Sequence, residues 1–383
     1  MLLRGSPLYD NRVRREAASV AKLGHEVIVL VDTGGELPPA GDGVAYRRLP
    51  RSKTRRQWAR EASRSRSPLV RAVSKVVRAV PEPPRWWRAS ESRKRIVFWL
   101  RARPVLAELR PDVVHAHDLK TLLAGARYDA KLVYDAHELE VYSLRVRSRL
   151  QRLGAWLFER YGIRRADAVI TVGDEVAEEI ARIHGVAKPF VVFNAPPLGD
   201  GSRSEALRAL GERVVVYTGG AHGARGTGAL VDALALLPPA YHLAIVGPRN
   251  AEDDAPLLAR GDDRLHLLPP VPGDDLVALI AGADVAAIPI ANACRSYDLS
   301  MPNKLFEAVQ AGLPIAVSER KAMARFVREH RLGAVFDERD PASIAAAIQE
   351  ARADPEELRE VQRRYSWEAQ EPVLAAVYAK VLG

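Results

Sequence analysis

Short runs of aliphatic and β-branched residues alternate with helix-patterned stretches along nearly the whole chain, in two successive series. The first reads as strands at Leu2 to Gly5, "HEVIVLVD", "DVVHAHD", "KLVYDAHE", "ADAVITVG" and "PFVVFN". The second reads as strands at "RVVVYTGG", "HLAIVG", "RLHLLPP", "DVAAIPI", "LPIAVSE" and "GAVFD". Strands separated by helices pair through crossover connections, so each series predicts a parallel sheet wrapped by helices: an α/β chain. Pro, Gly and Ser cluster in "NAPPLGDGSRSEALRALGER", which places a linker near residues 195–212. With 383 residues there is chain enough for two cores. The boundaries expected are 1–195 for a first domain, 196–365 for a second and 366–383 for a closing helix.

Charge is placed unevenly. Residues 46–110 hold 20 Lys and Arg against 4 Glu, so the rest of a chain of net charge +9 carries −7. This stretch also interleaves Trp58, Trp86, Trp87, Phe98 and Trp99 with its arginines, and reads as a basic insertion at about 46–110. It is either a solvated segment or one that meets an anionic membrane surface. Nucleic acid is the weaker partner, since none of its familiar motifs accompanies the charge. No apolar run has the length of a membrane-spanning helix or a signal peptide, so the expected location is cytoplasmic, with a peripheral association at the inner face of the membrane open. The one cysteine, Cys294, excludes an internal disulfide.

In a doubly wound sheet, ligands gather beyond the carboxyl ends of the strands. The first-series loops there carry "HAHD", with His115, His117 and Asp118, and "DAHE", with His137 and Glu138. His115 and His117 lie on one side of a strand and suit either a metal or a core pair, with no third ligand close in sequence. Glu138 could orient an acceptor hydroxyl or cap a helix. In the second series "VVVYTGGAHGARGTG" offers Gly219, Gly220 and Arg225 as a phosphate turn, or an ordinary strand-to-helix turn. "SMPNKLFEAV" reads as a helix with Ser300 near its cap, Pro302 in its first turn and Asn303 and Lys304 following. Its N-terminus would seat phosphate oxygens. Glu307 lies about 60° round the helix and about 4.5 Å along from Lys304, as a ribose acceptor or as half of a surface ion pair. There is no G-x-G-x-x-G after the first strand, no P-loop and no D-x-D, so neither a redox cofactor nor a metal is expected.

The ordered set "SPLYDNRVRREAASVAKLGHEVIVL", "DVVHAHD", "LVYDAHE", "VVFNAP", "VVVYTGG", "LAIVG", "GADVAAIPI" and "MPNKLFEAVQAGLPIAV" resembles the retaining nucleotide-sugar glycosyltransferases of family four. The resemblance implies the GT-B fold: two facing Rossmann-like domains, the first binding acceptor and the second nucleotide-sugar donor, with a C-terminal helix that crosses back to the first. It implies that His117 is the active-site histidine, Arg225 stands where the family has a phosphate-binding lysine, and Glu307 is the second glutamate of E-x7-E. Two positions depart from the pattern. Leu299 replaces that motif's first glutamate, and Gly220 stands where many members have arginine; Lys304 of the "PNK" variant could compensate. The implied activity is metal-independent transfer of a sugar from a nucleoside diphosphate sugar to a hydroxyl of a glycan, a lipid-linked glycan or a small molecule, as in polysaccharide, glycolipid or secondary-metabolite synthesis. The competing readings are a sugar-nucleotide epimerase or phosphorylase of the same fold and a non-catalytic binding protein.

Overall fold

A computed structural model describes residues 1–8, 10–50, 91–144, 146, 148–221 and 226–383. The first sheet contains β1 (Leu2–Leu3), β2 (Val27–Val31), β3 (Val44–Arg48), β4 (Val113–His117), β5 (Lys131–Ala136), β6 (Ala168–Thr171) and β7 (Phe190–Val191). The second contains β8 (Arg213–Thr218), β9 (Tyr241–Val246), β10 (Leu265–Leu268), β11 (Val285–Ile288), β12 (Ile315–Ser318) and β13 (Gly333–Phe336). Their orders are β3-β2-β1-β4-β5-β6-β7 and β10-β9-β8-β11-β12-β13, with every pairing between named strands parallel. Alternate residues of the first sheet feed opposite layers. Leu2, Leu30, Val114 and Tyr134 join one core, and Leu3, Val29, Val31, Val133 and Ile170 the other. This two-sided burial explains why the strands read as continuous apolar runs.

The helices that matter for the site are α1 (Asn11–Lys22), α2 (Glu91–Leu109), α3 (Asp118–Ala126), α4 (Arg149–Ile163), α5 (Asp174–His184), α6 (Arg295–Leu299), α7 (Asn303–Gln310), α8 (Lys321–Glu329) and α9 (Trp367–Leu382). The last returns to the first domain. Its Trp367, Leu374, Val377, Tyr378 and Val381 enter the core beside α1, and the Trp367 indole N–H donates to Ser19 Oγ at 2.9 Å.

The basic stretch expected as an insertion at 46–110 is otherwise arranged at its ends. Tyr46, Arg47 and Arg48 belong to β3, an edge strand whose half-exposed face hid it among polar residues. At the other end, α2 buries Phe98, Ala102, Val105 and Leu106 in the first core. Residues 51–90, with Trp58, Trp86 and Trp87, lie outside the described residues.

Candidate active site

The carboxyl ends of both sheets open on one cleft of about 790 Å³. On the second-domain side, β8 ends in Tyr217 and Thr218, followed by Gly219 at φ +132°, a region that favours glycine. A Cβ on Gly247, after β9, would collide with the Gly219 carbonyl oxygen. The two turns therefore approach as bare backbone, leaving a floor open to a bulky anion. Gly220 is not part of the cleft wall. Its carbonyl faces the Tyr217 hydroxyl at 3.4 Å.

Helix α7 starts at the same place. Pro302 occupies its N-cap, with ψ 151°, and no side chain caps the first turn. The expected capping by Ser300 and first-turn position of Pro302 are thus corrected. The Ser300 hydroxyl closes α6 by donating to the Tyr297 carbonyl at 3.2 Å, and Pro302 stands one residue before the helix. The consequence favours an anion, because the Asn303 and Lys304 N–H groups precede the first bond of the helix, from the Leu305 N–H to the Pro302 carbonyl at 2.9 Å, and Pro302, Asn303 and Lys304 line the cleft. Lys304 is 9% exposed; its Nζ donates to the Tyr217 hydroxyl at 2.9 Å and lies 4.1 Å from that ring's centre. Glu307 accepts from Thr218 Oγ1 at 2.9 Å, and burial raises its pKa. Both side chains of the i, i+3 pair thus reach the end of β8, next to the glycine floor.

The first-domain wall contains Asp10, Asn11, Asp118, Lys120, His137, Glu138 and Asn194. Asp118 adopts φ +62°, unusual for a residue with a Cβ, at the abrupt turn from β4 into α3. Its Oδ1 is 3.9 Å from His137 Nδ1, while His137 Nε2 lies 2.9 Å from Asp135 Oδ2. Burial alone would lower the His137 pKa, but the two carboxylates outweigh it and push it up to about 10. His137 is therefore an imidazolium at the cleft wall at neutral pH.

His117 is placed differently from the expectation. It is 1% exposed, lies behind the wall with Nδ1 at 3.2 Å from both Asp135 Oδ2 and His137 Nε2, and stacks on His115 with ring centres 4.3 Å apart. Its pKa is lowered by burial. The histidine facing the cleft is His137, just after β5: His117 pairs in register with Asp135, so His137 stands two residues further along.

Behind it is a buried network that sequence reasoning missed. Arg12 binds both Asp135 oxygens, at 2.7 and 2.8 Å, and approaches Glu16 at 3.0 Å. Burial pushes the Glu16 pKa up to about 8 with Arg12 opposing, whereas Asp135, gripped by Arg12, His137 and His117, stays well below the carboxylate range despite its burial. The signal was there as Arg and Glu four apart in "DNRVRREA", which reads equally as a surface pair. Glu16, His115, His117 and Asp135 bring ligand-type atoms within 4.8 Å of one another. The guanidinium on both carboxylates already supplies the positive charge that a cation would bring, so the donor set reads as a polar network.

Leu299 is 5% exposed and enters the first domain's core, from the second domain, rather than the cleft. Beside it the Ser296 hydroxyl accepts from the Leu139 N–H at 3.3 Å. Arg225 lies outside the described residues.

Two facing parallel sheets, with an uncapped helix start and Lys304 on one side of the cleft and titratable groups on the other, form a GT-B architecture. Residues 10–195 match the model for Glycosyltransferase Family 4, and residues 212–354 match that for Glycosyl transferases group 1. The chain belongs to the family 4 glycosyltransferases of GT-B fold and is a transferase. It is 27% identical over 308 residues to D-inositol 3-phosphate glycosyltransferase of Mycolicibacterium vanbaalenii, covering 71% of this chain and 67% of that one. It is 26% identical over 267 residues to glycogen synthase of Mycobacterium tuberculosis, covering 64% and 61%. The chain spans between 58% and 67% of the length of these and similar curated relatives. The fold is shared with sucrose-phosphate synthase from Thermosynechococcus elongatus, at TM-score 0.73, 18% identity and coverage of 100% and 98%. It is shared too with Anabaena HepE in complex with UDP-glucose, at 0.68, 16%, 99% and 98%.

Proposed function

We propose that this chain transfers a sugar from a nucleoside diphosphate sugar to an acceptor hydroxyl with retention at the anomeric carbon. The observation that carries the reading is the convergence of the uncapped α7 N-terminus, Lys304 and the Gly219–Gly247 floor opposite His137 and Asp118. The diphosphate sits on the helix N-terminus and floor, with Lys304 meeting its charge. Glu307 accepts from the ribose hydroxyls. HepE, of the same fold, has been crystallised with UDP-glucose, which supports this class of donor.

In the reaction, the bond from the anomeric carbon to the phosphate oxygen breaks and a bond to the acceptor oxygen forms on the same face. The acceptor's proton passes to the leaving phosphate oxygen. The His137 imidazolium, held by Asp135 and Asp118, presents a fixed positive charge beside the transferred sugar. Asp118 and Glu138 orient the acceptor, which is a glycan, a lipid-linked glycan or a small molecule. No metal or other cofactor enters this scheme, and the reaction is placed in the cytoplasm.

Thermal shift against UDP, GDP, ADP and dTDP should show stabilisation by at least one of them. Incubation with the matching sugar nucleotides and NMR of the product then reads the anomeric configuration. An inverted product contradicts retention; turnover to an epimer without acceptor identifies an epimerase; and no response to any nucleotide removes the donor site.

A further inference from the structure

Helix α4 has one face that the fold uses and one that it does not. Inward, Ala155, Gly162 and Ile163 are buried, and Glu159 accepts from the Tyr134 hydroxyl at 2.8 Å and faces His184 Nε2 at 3.0 Å. Outward, at helical spacing, stand Leu150, Leu153 and Leu157, exposed at 82%, 51% and 51%. Tyr161 continues that row one turn later. The helix start is fixed locally by a capping box of Ser148 and Gln151, so the row is held in place.

The charges around the row are of one sign. Arg149, Arg152 and Arg160 lie on α4, with Arg164 and Arg165 just beyond it, and the one acid of the helix, Glu159, is turned into the core. Arg165 stacks over the Tyr161 ring at 3.8 Å. Arg127, at the end of α3, lies 6.0 Å from the Tyr161 ring and 5.2 Å from the Trp99 ring of α2, where Leu100 is 55% exposed. Apolar and aromatic groups framed by arginine therefore run from α4 across to α2.

We propose that this face docks the protein on an anionic lipid bilayer, the leucines entering the headgroup boundary and the arginines meeting lipid phosphate. Two features select a bilayer. The leucine-and-arginine pattern is that of an interfacial helix, with an aromatic pair at one end. A second copy docked symmetrically on the same face would set the arginines against one another. The inference uses none of the cleft residues and stands apart from the transferase reading.

The test is co-flotation of the full chain with vesicles of phosphatidylcholine alone or with one quarter phosphatidylglycerol, at about 50 and about 500 mM salt. The full chain floats with the anionic vesicles at low salt and stays behind with neutral ones. The triple variant Leu150→Gln, Leu153→Gln, Leu157→Gln, all at exposed positions and checked for unchanged circular dichroism, loses at least about tenfold in partitioning. The variant Arg149→Gln, Arg152→Gln, Arg164→Gln loses the salt-sensitive part of binding. Flotation of the leucine variant equal to that of the parent overturns the proposal, because attachment then resides elsewhere. So does absence of flotation by the parent, or a leucine-dependent dimer in solution that does not bind vesicles.

Discussion

At the scale of single residues, the first-domain wall is a problem in sharing protons among buried groups. Arg12 cannot fully neutralise two carboxylates at once, and its two-pronged grip on Asp135 leaves Glu16 as the acid that keeps its proton. The pH dependence follows with a definite sign. His137 holds its proton more tightly when folded, so its stabilisation is complete below its ordinary pKa of 6.5 and is lost as pH rises towards about 10. Glu16 likewise binds a proton in the folded chain that the unfolded chain releases, and the folded state loses ground from about 4.5 to about 8. Asp135 acts oppositely, but its gain is already complete above its ordinary pKa of 3.8. His115 and His117, whose pKa values burial lowers, oppose this trend below their ordinary value of 6.5. The melting temperature should therefore fall between about pH 6.5 and about pH 9, and Glu16→Gln should flatten that fall, whereas a flat parent profile in differential scanning fluorimetry contradicts the arrangement. In activity, His137→Gln should lower kcat by about a hundredfold with little change in nucleotide affinity. His117→Gln should act through the orientation of His137 and Asp135, shifting the pH profile as well as the rate. The sequence showed both histidines, but only strand register decided which one is covered.

At the scale of elements, α7 shows how much one short segment can specify. Its Pro, Lys and Glu are readable in order as a helix start, a cation and an acceptor, while the absence of a side-chain cap and the true positions of Ser300 and Pro302 depended on where α6 ends. Lys304→Ala should lower donor affinity and turnover together, and Glu307→Ala should weaken binding of the nucleoside diphosphate itself, each by about tenfold or more in calorimetry and initial rates. Leu299 carries a different lesson. A leucine where the family pattern has glutamate looks in sequence like a lost sugar contact, yet here it fills an apolar site between the domains. Leu299→Ala should cost about 2–3 kcal/mol in urea unfolding. Leu299→Glu should cost more and leave turnover no higher, since the carboxylate would be buried without a partner. The edge strand β3 and helix α2 escaped the sequence reading for a related reason: arginine-rich composition masked the few apolar positions that face the core.

At the scale of the whole molecule, the two domains meet through ion pairs as well as Leu299. Arg295 of α6 reaches Glu179 of α5 at 2.8 Å, and Arg325 of α8 reaches Glu175 at 2.7 Å. Both acids are nearly buried and both arginines half-exposed, so each pair contributes about 1 kcal/mol or less, reduced further by salt. Arg295→Ala combined with Arg325→Ala should open the cleft, seen as a larger radius of gyration in X-ray scattering and weaker donor binding, while the unfolding midpoint moves little. An unchanged radius would show that the remaining contacts, Leu299 and the Leu139–Ser296 hydrogen bond among them, hold the domains together.

The sequence by itself determined the two parallel sheets, because uninterrupted aliphatic runs between helices have few other ways to bury both their faces. It also located the anion seat proposed at the α7 start, since helix chemistry and the residues that supply it are neighbours along the chain. The tertiary structure alone decided which histidine faces the cleft, which carboxylate keeps its proton, and that Leu299 belongs to the other domain's core. Those outcomes depend on groups distant in sequence, Arg12 with Asp135 and Leu299 with the first domain's core, whose desolvation and pairing exist only once the sheets are assembled.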